Sequence, residues 1–300
     1  MSDHITNTMK KGLYYLLCAL MLLAGCERPV FDSDDAVDEG KASAVVGNVQ
    51  VTVAHIEQVP FAELTRLKPE NVCSRLNYAV YDEEGERQAM VSQKAGDGDF
   101  GTAAFQLAEG TYTLVAVAHS SEGNPTMTDA AKIRFTNAQG FTDTFLCCDT
   151  ITVGAEPLSL KLNMHRIVSM CRFVIADDIP SDVTRMRFQY RGGSGAFDAS
   201  TGLGSVKSVQ TVFLPAHVQP RQYDLYTFLP AEEGTLHLQV TAHDTEDYVK
   251  GEKSFDVPMR RNEITVFTGN FFSDSSTRRN TASGGVDIDA DWHAERHVSY

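Results

Sequence analysis

Long apolar runs are what this sequence has least of. A single run, residues 13–25, stands out, and it is shorter than the roughly 20 residues a helix needs to cross a bilayer. Positive charge is also scarce. The 26 Lys and Arg against 40 Asp and Glu leave a net charge of −14. That balance excludes the basic stripe that nucleic acid requires and keeps a surface-exposed protein soluble. The 6 cysteines include no C-x2-C pair with a matching histidine pair, so a structural zinc site is not expected. Catalytic signatures are missing too. Gly192-Gly193-Ser194-Gly195-Ala196 approaches the Gly-x-Ser-x-Gly elbow, but Ala196 replaces the last glycine and the context is strand to strand, so a hairpin turn is expected. Asp198 also stands where the last glycine of Gly-x-Gly-x-x-Gly belongs. Asp287, Asp289 and Asp291 begin like a calcium loop, yet Trp292 and Val298 occupy its glycine and glutamate places. His293 and His297 are spaced i,i+4, but Glu295 is misplaced for a zinc protease, and the segment reads as a polar tail. No catalytic residue, cofactor site or metal site follows, and an enzyme is not expected.

What is present begins at the N-terminus. Lys10 and Lys11 precede the apolar run, which ends at Leu23-Ala24-Gly25-Cys26. A charged start, an apolar middle and small residues at the cut form a secretory signal over residues 1–25. The last four residues resemble a bacterial lipobox, with Cys26 as the lipidated residue of the mature chain. One acyl chain anchors only marginally, at about 0.8 kcal/mol per buried methylene, so stable attachment takes more than one. Residues 26–44 are acidic and poor in large apolar groups, and read as a flexible lipidated tether. Cys73, Cys147, Cys148 and Cys171 remain; in an oxidising compartment they are either buried thiols or contribute one disulfide, and four cysteines allow three pairings.

From Val45 onward the pattern has period two. Val49, Val51 and Val53 alternate with polar residues, as do Leu76, Tyr78 and Val80. Residues 111–118 are apolar at nearly every position, as in a central strand. Turn signals such as Glu83-Glu84-Gly85, Asp97-Gly98 and Glu122-Gly123-Asn124-Pro125 separate the runs. The pattern restarts near Gly154-Ala155-Glu156-Pro157, with alternation at Leu158, Leu160 and Leu162, an apolar strand over 167–175, and further alternation at Met186, Phe188 and Tyr190 and at Leu236, Leu238 and Val240. Residues 110–119 and 234–243 both start Gly-Thr and end Ala-His, which suggests two copies of one β-sandwich. The expected domains are therefore 45–156 and 157–272, in an all-β chain. Residues 273–285 read as a linker. Val286, Ile288 and Trp292 then form the apolar face of a final strand, which must pair with a sheet edge of its own domain or of a neighbour. Arg185, Arg187 and Arg191 line one strand face, read as solvated or as a surface for an acidic glycan or partner.

Residues 76–82, 110–116, Arg166-Ile167-Val168 with 172–175, and 261–272 carry a resemblance to the FimB-type fimbrial anchor lipoproteins of Bacteroides-like bacteria, in the fimbrillin superfamily. It extends over most of residues 45–292. The resemblance implies two tandem transthyretin-like β-sandwich domains at the base of a pilus in the outer membrane. It also implies fimbrial shaft subunits as partners through strand exchange, with Val286, Ile288 and Trp292 as the exchange candidates and the lipid on Cys26 as the membrane contact. Shaft relatives lose an N-terminal strand to an Arg- or Lys-specific protease; Arg28 and Lys41 lie in the tether here. The alternative expectation is a surface lipoprotein that binds a glycan or host protein and has no pilus role.

Overall fold

The computed structural model describes residues 47–57, 69, 72–136, 141–273, 286–287 and 294–300. The expected signal peptide, Cys26 and the tether lie outside the described residues. The fold is all-β, and it is built twice. The first copy contains β1 (Val49–Ile56), β2 (Arg75–Tyr81), β3 (Arg87–Lys94), β4 (Thr102–Phe105), β5 (Gly110–His119), β6 (Ile133–Arg134), β7 (Thr144–Val153) and β8 (Leu158–Arg166). The second contains β9 (Ser169–Ile175), β10 (Arg185–Arg191), β11 (Ala196–Phe197), β12 (Gln210–Pro215), β13 (Gln222–Thr227), β14 (Glu233–His243), β15 (Val249–Arg260) and β16 (Glu263–Gly269), followed by β17 (Val286–Asp287) and β18 (Ala294–Ser299).

Strand order makes the duplication explicit. Sheet order β3-β2-β5-β7 in the first copy matches β12-β10-β14-β15 in the second. The facing layer repeats as well: β1 pairs antiparallel with β4 and parallel with β8, while β9 pairs antiparallel with β13 and parallel with β16. The echoed segments 110–119 and 234–243 are β5 and β14, equivalent strands in the two copies. In the first copy β7 also bonds β8, joining the two layers into one seven-stranded sheet that encloses its own core.

Two sequence expectations about the middle of the chain are corrected. Residues 158–166, expected in the second sandwich, form β8, whose partners β1 and β7 belong to the first. The strand expected over 167–175 starts only at Ser169, because the buried pair Ile167-Val168 is the crossing between the copies. Both errors have one cause: alternation shows that a segment is a strand, whereas its sheet is set by a distant partner.

Each copy has a core between its layers. Val49, Val51, Leu76, Tyr78, Leu114, Ala116 and Phe145 fill the first; Phe173, Phe188, Tyr190, Leu236, Leu238 and Phe267 fill the second. The opposite faces of β2, β5 and β7 are also apolar, which is why β5 reads as a continuous run. Ala79, Val115, Val117 and Leu146 pack with Met170, Ile264 and Val266 in a third cluster between the copies. Phe197 of β11 and the loop residues Phe135, Phe141 and Phe228 complete it as a group of neighbouring rings. β6 and β11, one from each copy, pair across the same boundary. A large apolar interface of this kind holds two domains as one body.

A buried ion pair sits at the crossing. The Arg166 side chain is fully buried and donates to Asp143 through Nε (2.7 Å) and Nη2 (2.9 Å). Its Nη1 reaches Asn262 Oδ1 at 3.3 Å, and the guanidinium lies 5.0 Å from the centre of the Phe145 ring. A two-pronged carboxylate pair with a further acceptor meets the condition under which a buried charge is tolerated. Cys147, Cys148 and Cys171 are free thiols, and Cys73 is buried with its Sγ donating to Pro69 O at 3.5 Å.

Candidate functional site: the C-terminal strand and the edge it covers

Where the chain leaves the second sandwich, it is tied down. Asp177 accepts hydrogen bonds from the backbone N–H groups of Phe271 (2.8 Å), Phe272 (2.7 Å) and Ser273 (2.6 Å) and from the Ser273 hydroxyl (3.0 Å). Partial burial pushes its carboxyl group up, but these donors outweigh that and hold it below the ordinary range. The segment that follows returns as β17 and β18.

β18 lies parallel to β16, in register from Glu263 opposite Ala294 to Thr268 opposite Ser299, and β17 pairs antiparallel with β18 outside it. The resulting order is β13-β9-β16-β18-β17. β16 is the equivalent of β8; on the side where β8 is bonded to β7, β16 is bonded to β18. In the second sandwich a strand delivered by a later piece of chain therefore takes the place that β7 holds beside β8 in the first. Without β18, the β16 edge would present unpaired N–H and C=O groups, the feature that recruits another strand.

Side chains lock the end of β18 in place. Val298 packs on the second core, and Tyr300 caps it. The Tyr300 ring is 4.9 Å from Phe173, 4.5 Å from Phe255 and 4.9 Å from Phe267, centre to centre. Its hydroxyl donates to Val174 O at 3.1 Å, its N–H donates to Thr268 O at 2.9 Å, and burial raises its pKa well above the ordinary phenol range. Gly269 makes this possible: a Cβ there would sit 2.2 Å from Tyr300 O and 2.5 Å from its ring.

The expected exchange residues fall only partly on this element. Val286 lies on β17; Ile288 and Trp292 lie outside the described residues. The segment 293–297, expected as a polar tail, instead contributes Ala294 to His297 to β18. Its apolar members Val298 and Tyr300 come after the charged stretch, which is why reading by periodicity stopped too early. Alternation of Arg296, Val298 and Tyr300 against the exposed His297 and Ser299 was the signal that could have found it.

Of the other sequence candidates, Ser194 is among the described residues, whereas Asp289, Asp291 and His293 lie outside them. Ser194 is buried; its hydroxyl donates to Ala196 O and accepts from the N–H groups of Ala196 and Val206, so it is a turn residue with no role left for a nucleophile. Among the described residues no His, Cys, Asp and Glu group is arranged to hold a metal ion, and no helix is long and apolar enough to cross a membrane. Sequence reasoning missed His119. Its ring is buried, its Nε2 donates to Asn77 Oδ1 at 2.8 Å, and its Nδ1 accepts from the Ser121 N–H at 3.1 Å. This is the neutral tautomer. Burial first, and the Arg75 charge second, push the pKa down to about 4.

Among solved structures, the chain is similar to a "putative adhesin" from Bacteroides ovatus, with 13% identity and a TM-score of 0.49 over 69% of this chain and 81% of that one. It is similar to the fimbrial anchor protein Mfa2 from Porphyromonas gingivalis, with 12% identity and a TM-score of 0.40 over 69% and 81%. A fimbrial assembly protein from Parabacteroides distasonis matches with 10% identity and a TM-score of 0.38 over 74% and 90%. No curated protein matches the sequence. The profile of a family of unknown function, DUF6562, matches residues 42–299, which take in both sandwiches and the whole of β18, and the chain belongs to that family.

Proposed function

We propose that this protein is a lipid-anchored, surface-exposed lipoprotein that serves as the anchor or a minor subunit of a fimbria and joins its neighbour by β-strand addition. The carrying observation is β18: a strand reached through a later segment of chain, lying on the β16 edge, where the first sandwich instead closes β8 with its own β7. Main-chain hydrogen bonds along such an edge give affinity, and the pocket that takes Tyr300 gives specificity. The signal ending at Leu23-Ala24-Gly25-Cys26 and the acidic tether support attachment to the outer membrane through Cys26. The role is structural, not enzymatic.

The test is recovery of the native protein from washed cells with its partners. A fimbrial subunit should co-purify with the full-length chain and be lost when residues 284–300 are deleted, and radiolabelled palmitate should enter the protein and fail to enter a Cys26→Ala variant. Recovery as a monomer with no pilin attached, from a strain that carries fimbriae, refutes the reading.

A further inference from the structure

The outer face of the β12-β10-β14-β15 sheet is unlike the rest of this acidic chain. β10 turns Met186, Phe188 and Tyr190 inward, so Arg185, Arg187, Gln189 and Arg191 point outward. Arg185 is engaged with Asp247. The side chains of Arg187, Arg191 and the nearby loop residue Lys207 have no hydrogen bond or ion pair with any described residue. Farther across the face, Asp256 is bonded to His237 at 2.6 Å and Glu252 accepts from Gln239 at 3.1 Å, and both remain carboxylates. The cations are therefore confined to the β10 side of the face, in a protein of net charge −14.

Apolar surface lies beside those cations. Val209 and Phe213 are 48% and 52% exposed, and Phe213 is the register partner of Arg187. A recess of about 620 Å³ is lined by Arg191, Lys207, Val206, Val209 and Pro230, over a floor of glycine backbone. The floor stays bare for a packing reason: Gly192 has φ +95°, and a Cβ there would lie 2.1 Å from Thr235 O. A second depression of about 300 Å³ runs on from Arg191 past Gln189, His237 and Gln239, with the Asp256 carboxylate at its far side. Arg191 borders both, so the two form one track across the sheet.

This is a sheet face, not an edge. β10 is bonded on both sides, to β12 and β14, so a peptide cannot add there as a strand. What the face offers is forked guanidinium and amide donors interleaved with apolar patches. That combination fits a ligand whose units each have hydroxyl edges, a C–H face and a negative group. We propose that this face binds a linear acidic polysaccharide, its carboxylate or sulfate groups against Arg187, Arg191 and Lys207 and its sugar rings along Phe213 and in the recess beside Val209. The inference stands whether or not the protein joins a fimbria.

The experiment is affinity electrophoresis of the full-length mature protein in gels containing polygalacturonate, chondroitin sulfate, methyl-esterified polygalacturonate or polyglutamate. Retardation is expected from polygalacturonate or chondroitin sulfate, decreasing with added salt. The Arg187→Gln, Arg191→Gln double variant should bind about a hundredfold more weakly, at roughly tenfold for each lost charged hydrogen-bonding group. Lys207→Gln, on an exposed loop, should weaken binding by about tenfold and serves if the double variant fails to fold. Retardation by neither acidic glycan overturns the proposal. So does equal retardation by the neutral ester, unchanged binding by the folded variants, or equal retardation by polyglutamate, which would assign the face to acidic polypeptide.

Discussion

Removing the grip of the last residue is the sharpest way to probe the C-terminal strand. In Tyr300→Ala, the ring leaves a slot bounded by Phe173, Phe255 and Phe267. Roughly 100 Å² of apolar surface at about 25 cal/mol per Å² gives about 2.5 kcal/mol, and ring–ring contacts add about 1 kcal/mol. A loss of about 3.5 kcal/mol corresponds to a fall of about 7 to 14 °C in Tm for a body of this size. Gly269→Val should act from the other side, because a Cβ there meets Tyr300 at 2.2 Å, and it should release β18 without touching the strand itself. Deleting residues 274–300 exposes the whole β16 edge. A synthetic peptide of residues 286–300 should then restore stability in trans, by about 2.7 kcal/mol at a hundred times its Kd. The assay is differential scanning calorimetry with and without the peptide, alongside a peptide with Val298 and Tyr300 replaced by Ser. If Tyr300→Ala and Gly269→Val both leave Tm within about a degree of wild type, β18 is not a packed strand and the strand-addition reading goes with it.

His119 gives a pH signature. Its pKa in the folded protein is lowered to about 4 from 6.5, so the fold favours the neutral ring. The associated stability is fully present above pH 6.5 and is lost as pH falls from there towards 4, by about 3 kcal/mol in all; urea titrations should show this slope reduced in His119→Gln. Arg166→Met should destabilise the protein by about 3 to 5 kcal/mol, because it strands the Asp143 carboxylate, and adding Asp143→Leu should recover most of the loss; persistence of the defect in the double variant would mean that the pair is not the source. The free thiols should resist labelling at about pH 8, since burial raises Cys171 and Cys148 and, together with Asp149, pushes Cys147 up to about 12. Mass spectrometry should show label appearing on these three only as the protein unfolds, with no mass change on reduction.

The sequence by itself determined the all-β class, most strand positions and the duplication, because alternation and turn chemistry are properties of neighbouring residues. Val49, Val51 and Val53 need only their own spacing to declare a strand with one buried face, and the apolar run in β5 announces burial on both. The tertiary structure alone decided which sheet each strand joins. Nothing local distinguishes β8, which closes the first sandwich, from a strand opening the second. Nor does spacing reveal that Arg166 is fully buried against Asp143, or that Tyr300 packs against the rings of Phe173, Phe255 and Phe267, each more than thirty residues away in the chain. Pairing and core membership are choices among distant segments, set by which apolar faces and hydrogen-bonding edges remain to be covered once the rest of the chain has folded.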